Sequence, residues 1–542
     1  MKSPLDARAA SLERAVSSPA DLVVVGGGIN GVGIALDAAA RGLRTVLVER
    51  DDLAVGTSSR SSKLIHGGLR YLEHHQFHLV REALGERHLL RTTLAPHLVH
   101  IERFLFPVDG NRWLAPYIAT GLTLYDLLGG RRSGRFRLVS RAEACRRVPG
   151  LREERLRVAF EYSDGVVDDA RYVVAVARTA ARLGATLLTR CEVVEWTRSE
   201  GRVTGVVARD RLDGSEHTIA GRVVIDATGA FEADDWSDDG HRLRPSRGIH
   251  LVVPRSRVPS DTGLTIRVPG RVVFLIPWGS HWLIGTTDVP HEGPVDRPTA
   301  TGEEVSYLID TLSRVLDVHL TAADIVATFA GVRPLVGAGD DTSSISREEV
   351  IDEPEPGRIT VRGGKFTTYR RVAGRTLDRA SGALGRICPS STARLPLVGA
   401  APSSALAGVT GEVSSRFGLD RPSAQHLVSR YGTEALDVAR IAIDEGLGRP
   451  LVSGLPYLQA EAWWAVHHEQ ALSVDDVLSR RTRIAIEDPH HGEVAAETVA
   501  GLLGEALGWD SGQRSAAVDE YVESVCTEYG VPGKAETPEV AA

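Results

Sequence analysis

The sequence contains few cysteines and no long apolar segment. Its four cysteines are Cys145, Cys191, Cys388 and Cys526, and none of them forms a CxxC pair. This spacing argues against a disulfide framework or a metal site such as zinc, and it favours a reducing, cytoplasmic setting. No apolar run approaches the ~20 residues of a membrane span, and residues 1–20 lack the apolar core of a secretory signal. We therefore expect any membrane contact to be peripheral.

Lysine is scarce as well. The 542 residues include four lysines, Lys2, Lys63, Lys365 and Lys534, and arginine supplies the other positive charges. The formal net charge of −8 does not favour a nucleic-acid partner, which requires a basic domain. An ammonium is a compact charge, whereas a guanidinium is a planar fork. We therefore predict that Lys63 and Lys365 occupy places where arginine would not serve.

The length predicts about three domains, at ~100–200 residues each. A βαβ unit is predicted at residues 21–49, from a β-branched strand, a glycine-rich turn, an alanine-rich helix and a second strand. Residues 271–277 and 282–286 are predicted to form a hairpin across Gly279 and Ser280. From about residue 400, helical patterns with short breaks predict a separate C-terminal domain.

The turn of the βαβ unit carries a dinucleotide-binding fingerprint. Gly26, Gly28 and Gly31 match the GxGxxG pattern between a predicted strand and a predicted helix. These glycines allow a tight turn, close approach of the backbone to a pyrophosphate, and close packing of helix on strand. Glu49 ends the next strand, where its carboxylate would accept hydrogen bonds from a ribose diol and repel a 2′-phosphate. The motif argues against NADP and does not separate FAD from NAD.

Residues 56–73 follow this unit and are rich in small hydroxyls and glycines. Such a composition indicates a ligand loop, in which hydroxyls and backbone amides meet phosphates and glycines allow close approach to a planar ring. The predicted cofactor contacts of this loop are Thr57, Ser58, Ser59, Ser61, Ser62, Lys63 and Leu64.

This loop, GTSSRSSKLIHGGLRYLE, closely resembles the signature of FAD-linked glycerol-3-phosphate dehydrogenases. The resemblance spans essentially the whole chain, and its further motifs are 162–170, 226–229, 250–254, 276–288 (IPWGSHWLIGTTD), 331–335 (GVRPL), 344–347 and 363–370 (GGKFTTYR). One departure is Ala230-Phe231, where the family usually has Pro-Trp. We expect a local packing change there and no loss of function.

The resemblance implies an α/β fold. A Rossmann-like FAD-binding domain of the glutathione-reductase type is combined with a D-amino-acid-oxidase-like substrate domain and a C-terminal α-helical domain. The implied ranges are 20–78, 155–245 and 330–385 for the FAD domain, 79–154 and 246–329 for the substrate domain, and 395–532 for the helical domain. Further FAD contacts implied by the resemblance are Val193, Ala227, Gly229, Gly364, Lys365, Phe366 and Thr367.

The implied reaction is oxidation of sn-glycerol 3-phosphate to dihydroxyacetone phosphate. It needs a base near the hydroxyl, positive charge near the reduced flavin, and a phosphate cradle. Lys365 precedes a predicted helix, so its ammonium and the helix N-terminus suit the negative N1–C2 edge of the flavin. His250 and His66 are the candidate bases, because imidazole titrates near neutral pH. The resemblance favours His250 near the reacting hydroxyl and His66 close to the flavin, and the identity of the base stays open.

Arginines are candidates for anion recognition, because the guanidinium fork suits phosphate oxygens. By resemblance, Arg333 lies beside the substrate hydroxyl, whereas Arg70 and Arg347 reach the phosphate. Tyr71 is expected to add a hydrogen bond to the phosphate.

Residues 113–128 are apolar and aromatic, and they are followed closely by Arg131, Arg132, Arg135 and Arg137. Two interpretations stay open: a lipid-facing helix with arginines on anionic headgroups, or a core helix with a basic loop. The resemblance favours peripheral contact with the inner face of the cell membrane and a quinone as electron acceptor. The sequence leaves the oligomeric state open, a homodimer included.

Three other functions share parts of this pattern. A glycerol-3-phosphate oxidase would pass the same electrons to oxygen and keep the same motifs. An amine or amino-acid oxidase would need a carboxylate site and would have no use for several phosphate-directed arginines. A non-catalytic flavin-binding or membrane-adaptor protein would keep the fingerprint without needing His250, Arg333 and Lys365 together.

Overall fold

The structure is a computed structural model that describes residues 3–73, 75–110, 113–130, 134–231, 243–269, 271–337 and 348–534, with Arg70 described by its backbone alone. The strands are β1 (Ala20–Val25), β2 (Thr45–Val48), β3 (Leu64–Ile65), β4 (His100–Asp109), β5 (Arg137–Val139), β6 (Leu156–Val166), β7 (Thr186–Leu188), β8 (Cys191–Ser199), β9 (Arg202–Asp210), β10 (Glu216–Asp226), β11 (Leu243–Pro254), β12 (Gly263–Val268), β13 (Arg271–Trp278), β14 (His281–Gly285), β15 (Val289–Pro290), β16 (Ala327–Val336), β17 (Glu349–Glu355) and β18 (Arg358–Gly363).

The α-helices are α1 (Pro4–Val16), α2 (Ile29–Ala40), α3 (Arg70–Glu73), α4 (Phe77–Leu89), α5 (Leu114–Leu128), α6 (Arg141–Arg147), α7 (Asp169–Arg182), α8 (Gly302–Ser313), α9 (Tyr369–Leu384), α10 (Ser403–Phe417), α11 (Arg421–Tyr431), α12 (Ala435–Asp444), α13 (Gln459–His468), α14 (Ile484–Glu487), α15 (Glu493–Leu507) and α16 (Ser511–Tyr529). Short 3₁₀ turns include Thr57–Ser59 and Phe366–Thr368, and Asp476–Arg481 is a π-helical turn.

The first sheet has the strand order β17-β18-β10-β1-β2-β7, and β9 and β8 extend it from β10. Strands β18, β10, β1, β2 and β7 run parallel. The predicted N-terminal βαβ unit is confirmed, since α2 connects β1 to the parallel strand β2. Apolar residues of β1, such as Leu22 and Val24, share one core with α2, α7 and α9. A parallel strand covered by helices needs such a continuous apolar run.

The second sheet has the order β15-β11-β14-β13-β12-β4-β6-β3, with β16 paired to β11 and β5 to β6. The predicted hairpin is confirmed, because β13 and β14 are antiparallel and join across Gly279 and Ser280. The predicted FAD-domain ranges 155–245 and 330–385 each include residues of this second sheet, from β6 and β16. The domain boundaries themselves stay a prediction.

Both faces of the second sheet are covered. Along β11, Leu251 and Val253 pack in a core with α8, whereas Val252 packs on the opposite face in a core with α15 and α16. This alternation is the period-two pattern of a strand buried on both sides. Helices α10 to α12 form a further core of their own with Trp464. The C-terminal helices therefore reach directly onto the sheet that carries His250.

Candidate active site

A cavity of about 410 Å³ lies between the two sheets. The predicted site residues that line it are Gly26, Gly28, Glu49, Thr57, Ser58, Ser61, Ser62, Leu64, His66, Tyr71, Val193, Ala227, Gly229, His250, Arg333, Gly364, Lys365, Phe366 and Thr367. Gly31, Ser59 and Lys63 do not line it. The side chain of Arg70 and the whole of Arg347 lie outside the described part of the chain.

The glycine turn forms one end of the cavity. Gly26 has a φ of +108°, and a Cβ there would lie 2.7 Å from the carbonyl oxygen of Ala227. A Cβ on Gly31 would lie 1.9 Å from the carbonyl oxygen of Gly26. Both positions thus require glycine, Gly26 for its backbone conformation and Gly31 for the contact between helix and turn. The N-terminus of α2 opens onto the cavity at Gly28 and Ile29.

Glu49 closes this end from the tip of β2. Its Oε2 accepts a hydrogen bond of 2.5 Å from the amide of Gly27, and its Oε1 accepts one of 2.8 Å from the amide of Asp51. Burial raises the pKa of Glu49 to about 6, against the lowering effect of these two amides. A carboxylate in this position can accept hydrogen bonds from ribose hydroxyls.

The hydroxyls of the loop 56–64 mostly bind other protein groups. Thr57 Oγ1 donates to the carbonyl of Val332 at 2.5 Å, and Ser61 Oγ donates to Asp169 Oδ2 at 2.7 Å. Ser58 Oγ instead accepts from the amide of Ile29 at 2.9 Å and so joins the loop to the start of α2. These bonds fix the loop against β16, α7 and the start of α2. Contacts between its hydroxyls and phosphates stay a prediction.

His250 projects from β11 and is 1% exposed. Its Nε2 lies 2.9 Å from Ser62 Oγ, and its ring stacks on Phe329 with 4.8 Å between centroids. Its Nδ1 has no hydrogen-bond partner among the residues described. Burial lowers the pKa of His250 well below 6.5, and the positive charges of Arg333 and Lys63 lower it further. The imidazole is therefore neutral at physiological pH and keeps a lone pair for a proton.

Arg333 comes from β16, the strand paired with β11. Its Nη2 donates to Thr286 Oγ1 at 3.0 Å, and its Nη1 lies 3.6 Å from Asp288 Oδ1. A Cβ on Gly248 would lie 2.3 Å from this guanidinium. Because Gly248 has no side chain, the cation can lie against the strand that carries His250.

Lys365 follows Gly363 and Gly364, which both have positive φ. Its Nζ lies 3.3 Å from the centroid of the Tyr71 ring, so the structure brings these two predicted residues together at the cavity wall. His66 joins the same region through its backbone amide, which donates to Thr367 Oγ1 at 3.3 Å. The predicted catalytic side chains thus share one cavity, and their individual roles stay predictions.

Several residues of the site were missed by sequence reasoning. A Cβ on Gly285 would lie 2.2 Å from His250 Cδ2, so Gly285 makes room for the imidazole as Gly248 does for Arg333. Asn30 Nδ2 donates to the carbonyl of Gly363 at 3.2 Å and ties the glycine turn to the Lys365 loop. At the departure from the family motif, the Phe231 ring lies 4.9 Å from the guanidinium of Arg50. The position of Gly285 inside the IPWGSHWLIGTTD motif was the one available signal.

Comparison with known proteins identifies the family. Residues 21–367 match the family described as FAD dependent oxidoreductase, and residues 390–514 match the C-terminal domain of alpha-glycerophosphate oxidase. The chain is 44% identical over 531 residues to glycerol-3-phosphate dehydrogenase 2 of Mycobacterium tuberculosis, with 96% of this chain and 90% of that protein covered. The chain belongs to the FAD-dependent glycerol-3-phosphate dehydrogenase family.

Other members of the family agree with this assignment. Mitochondrial glycerol-3-phosphate dehydrogenase of Bos taurus is 36% identical over 551 residues, with 96% of this chain and 75% of that protein covered. The structure of the glycerol-3-phosphate dehydrogenase from Bacillus halodurans complexed with FAD has a TM-score of 0.81 at 27% identity, and the match covers 97% of this chain and 98% of that one. The predicted fold class is thereby confirmed.

The cofactor of this family member is FAD. The residues present fit it, because the cavity runs without interruption from the glycine turn and Glu49 to His250 and Lys365. The N-terminus of α2 suits the pyrophosphate, and the carboxylate of Glu49 suits the ribose. The positive charge of Lys365 lies in the same cavity, where the flavin ring is expected.

Proposed function

We propose that this chain oxidises sn-glycerol 3-phosphate to dihydroxyacetone phosphate and passes the electrons from FAD to a quinone. The observation that carries this proposal is the convergence of His250, Arg333 and Lys365 on the cavity that holds the dinucleotide turn. A flavin-binding protein without catalysis would not need a base and two cations at one end of its cavity. The substrate is taken from the names of the relatives in Mycobacterium tuberculosis and Bos taurus.

His250 is the proposed acceptor of the hydroxyl proton. Oxidation of a secondary alcohol removes a proton from oxygen and a hydride from carbon, and bound FAD supplies the hydride acceptor. The neutral imidazole has one ring nitrogen held by Ser62 and the other without a partner among the described residues. Its lowered pKa makes it a weak base. Arg333 compensates for this weak basicity, since a guanidinium beside the substrate hydroxyl stabilises the negative charge that develops on its oxygen.

The phosphate cradle is proposed to consist of Arg70, Arg347 and Tyr71. Tyr71 supports this placement, because it lines the cavity beside Lys365. Two guanidinium groups would provide charge-assisted hydrogen bonds to a dianionic phosphate ester. Glycerol lacks that charge and is therefore expected to be a very poor substrate.

A peripheral membrane contact is proposed at α5. Ile118, Leu122 and Tyr125 are buried, whereas Trp113 and Tyr117 are 67% and 49% exposed on the other side. Exposed aromatic side chains of this kind are typical of the membrane–water interface. No helix within the described ranges is long and apolar enough to cross a bilayer. The homodimer stays a prediction.

The first test is anaerobic flavin absorbance after addition of glycerol 3-phosphate, with glycerol as the control. Rapid bleaching by the phosphate ester alone is the expected result, and reoxidation by a quinone analogue faster than by air would support the quinone. Faster reoxidation by air would favour the oxidase instead. A yellow, folded protein that glycerol 3-phosphate does not bleach would overturn the proposed substrate.

Membrane contact is tested separately by sedimentation with vesicles that contain anionic lipid. We expect the wild type to sediment and Trp113→Ala to remain largely in solution. Trp509→Ala replaces a tryptophan in the C-terminal region and is the control. If Trp113→Ala and Trp509→Ala sedimented to the same extent, α5 would not be the membrane-contacting element.

A further inference from the structure

Lys63 is fully buried beside the active site, and the proposed reaction does not use it. Its side chain is 0% exposed, and its Nζ donates to Asp169 Oδ1 at 2.8 Å and to the carbonyl of Ser59 at 3.0 Å. Aromatic rings enclose the same ammonium, with the centroid of Trp278 at 5.4 Å and that of Phe329 at 5.0 Å. A planar guanidinium would have to displace one of these neighbours. This packing gives a reason why the position holds lysine in an arginine-rich chain.

Two connections join Lys63 to His250. The first is Phe329, whose ring contacts the ammonium and also stacks on the imidazole at 4.8 Å with an interplanar angle of 10°. The second is the backbone, because the neighbouring residue Ser62 places its Oγ 2.9 Å from His250 Nε2. A buried positive charge therefore lies near the imidazole, on elements that also fix the orientation of the ring.

We propose that Lys63 is a positioning residue that holds His250 in its neutral, proton-accepting form. This inference rests on the proposed role of His250 as the base. A cation near a histidine raises the free energy of the imidazolium and leaves that of the neutral ring nearly unchanged. Both groups and the aromatic ring that they share are buried, so little water is present to screen their interaction.

The C-terminal region holds Lys63 in place. Asp169 begins α7 and also accepts from the Ser61 amide at 3.0 Å. Arg483 forms ion pairs with Asp169 and with Asp168, the latter at 2.7 Å. The ammonium of Lys63 is therefore fixed by a carboxylate that a C-terminal arginine fixes in turn. Arg483 thus gives the helical region a structural link to the base.

Within the described ranges, the charged groups around His250 come from three places. Arg333 lies on the neighbouring strand, with Asp288 Oδ1 3.6 Å from its Nη1. Lys63 contacts the Phe329 ring, with Asp169 as its counterion. Lys365 and His66 line the same cavity. Among the described residues, removal of Lys63 therefore leaves Arg333 as a nearby cation that lowers the pKa of the imidazole.

The test compares Lys63→Met and Lys63→Gln with the wild type in anaerobic stopped-flow reduction across pH. Neutral His250 is the active form, so the reduction rate falls as pH drops through the pKa of His250. This fall is the acid limb of the pH–rate profile. We expect it to lie about one pH unit higher in both variants, because the loss of one nearby positive charge raises the pKa of His250. At a pH below the limb, the rate should fall about tenfold relative to the wild type.

Arg41→Met is the matched control. Arg41 is also a buried cation, with Nη2 2.7 Å from Asp37 Oδ2, but it lies at the end of α2 away from the cavity. A general loss of stability would affect this variant as well, whereas its acid limb should match that of the wild type. If Lys63→Met does not fold, Lys63→Gln retains an amide donor toward Asp169 and allows the same comparison.

A second measurement does not depend on turnover. Histidine labelled with ¹³C at Cε1 gives a resonance for His250 that can be assigned by its absence in His250→Gln. We expect the titration midpoint of that resonance to rise by about one pH unit in the lysine variants. An unchanged midpoint and an unchanged acid limb in folded protein would overturn the inference. Failure of glycerol 3-phosphate to reduce the wild type would overturn only the proposed function, because the NMR titration would still test Lys63.

Discussion

The two ends of the cavity are built in different ways. At the nucleotide end, the glycine turn and Glu49 come from the single stretch 26–49, in which turn, helix and strand follow one another. The reactive end combines His250 of β11, Arg333 of β16 and Lys365 after β18. The first keeps its geometry through local backbone bonds, whereas the second depends on how the two sheets pack. Substitutions should therefore affect FAD retention at one end and flavin reduction at the other.

The largest separation is expected for His250→Ala. Loss of a general base should slow anaerobic reduction by about 10²–10⁴-fold, while FAD retention stays close to that of the wild type. Stopped-flow absorbance gives the reduction rate, and the flavin-to-protein ratio gives retention. His281→Ala is the control, since His281 is a buried histidine of the same sheet that does not line the cavity. If His250→Ala lost bound FAD and reduction rate to the same extent, the two ends of the cavity would not be functionally separate.

A somewhat smaller effect is expected for Lys365→Met. Removal of a preorganised cation from the reactive end should slow reduction by about 10²-fold and leave the free energy of unfolding within about 1 kcal/mol of the wild type. The rate and a urea unfolding curve test both parts. Lys534→Met removes a lysine far from the cavity and should change neither value. A large loss of stability without a loss of rate would assign Lys365 a structural role.

At the nucleotide end, Gly31→Ala should act on FAD binding. Its Cβ would lie 1.9 Å from the Gly26 carbonyl oxygen, so the turn must shift. Overpacking of this kind costs about 1–3 kcal/mol, which corresponds to an increase of about 5–150-fold in the FAD dissociation constant. Fluorescence titration of FAD-free protein measures it. Gly408→Ala, in a helix with open space around that position, should leave the constant unchanged. An unaltered FAD dissociation constant in Gly31→Ala would show that the glycine turn does not contribute to FAD binding.

The smallest expected effect is a pH dependence of FAD affinity. Burial raises the pKa of Glu49 to about 6 in the FAD-free protein, whereas ribose hydroxyls favour the ionised form. The FAD dissociation constant should therefore rise about tenfold between pH 7.5 and pH 5, because protonation of Glu49 competes with binding. Glu49→Gln should abolish this slope. A slope that persists in the variant would assign the titration to another group.

The same shift has a definite sign for folding. Because the folded-state pKa of Glu49 lies above the unfolded value of 4.5, the stabilisation from its protonated form is present at low pH. That contribution, about 2 kcal/mol, is lost as pH rises through about 6. FAD binding should restore it, since the bound ribose stabilises the carboxylate.

Sequence patterns were sufficient where the structure is local. The glycine turn, Glu49 and the hairpin at Gly279 all depend on residues that are close in the chain. Lys63 was predicted as a cofactor contact, and it does not line the cavity, because a pattern of hydroxyls and glycines does not say which side of the loop a side chain faces. Its ammonium lies against Asp169, over a hundred residues away in sequence. Gly248 and Gly285 were missed because each makes room for a side chain of another strand, which a linear pattern does not show.

The sequence by itself determined that a strand, a glycine turn, a helix and an acidic strand end form a dinucleotide site, because short-range backbone geometry dictates those positions. Its motifs also identified the family and thereby the cofactor. Only the tertiary structure decided that Lys63 and His250 contact the same Phe329 ring, that Arg333 lies on Gly248, and that Arg483 of the C-terminal region pairs with Asp169, the counterion of Lys63. Those relations depend on the packing of distant elements around buried charges, and a linear pattern does not record the distances between such elements.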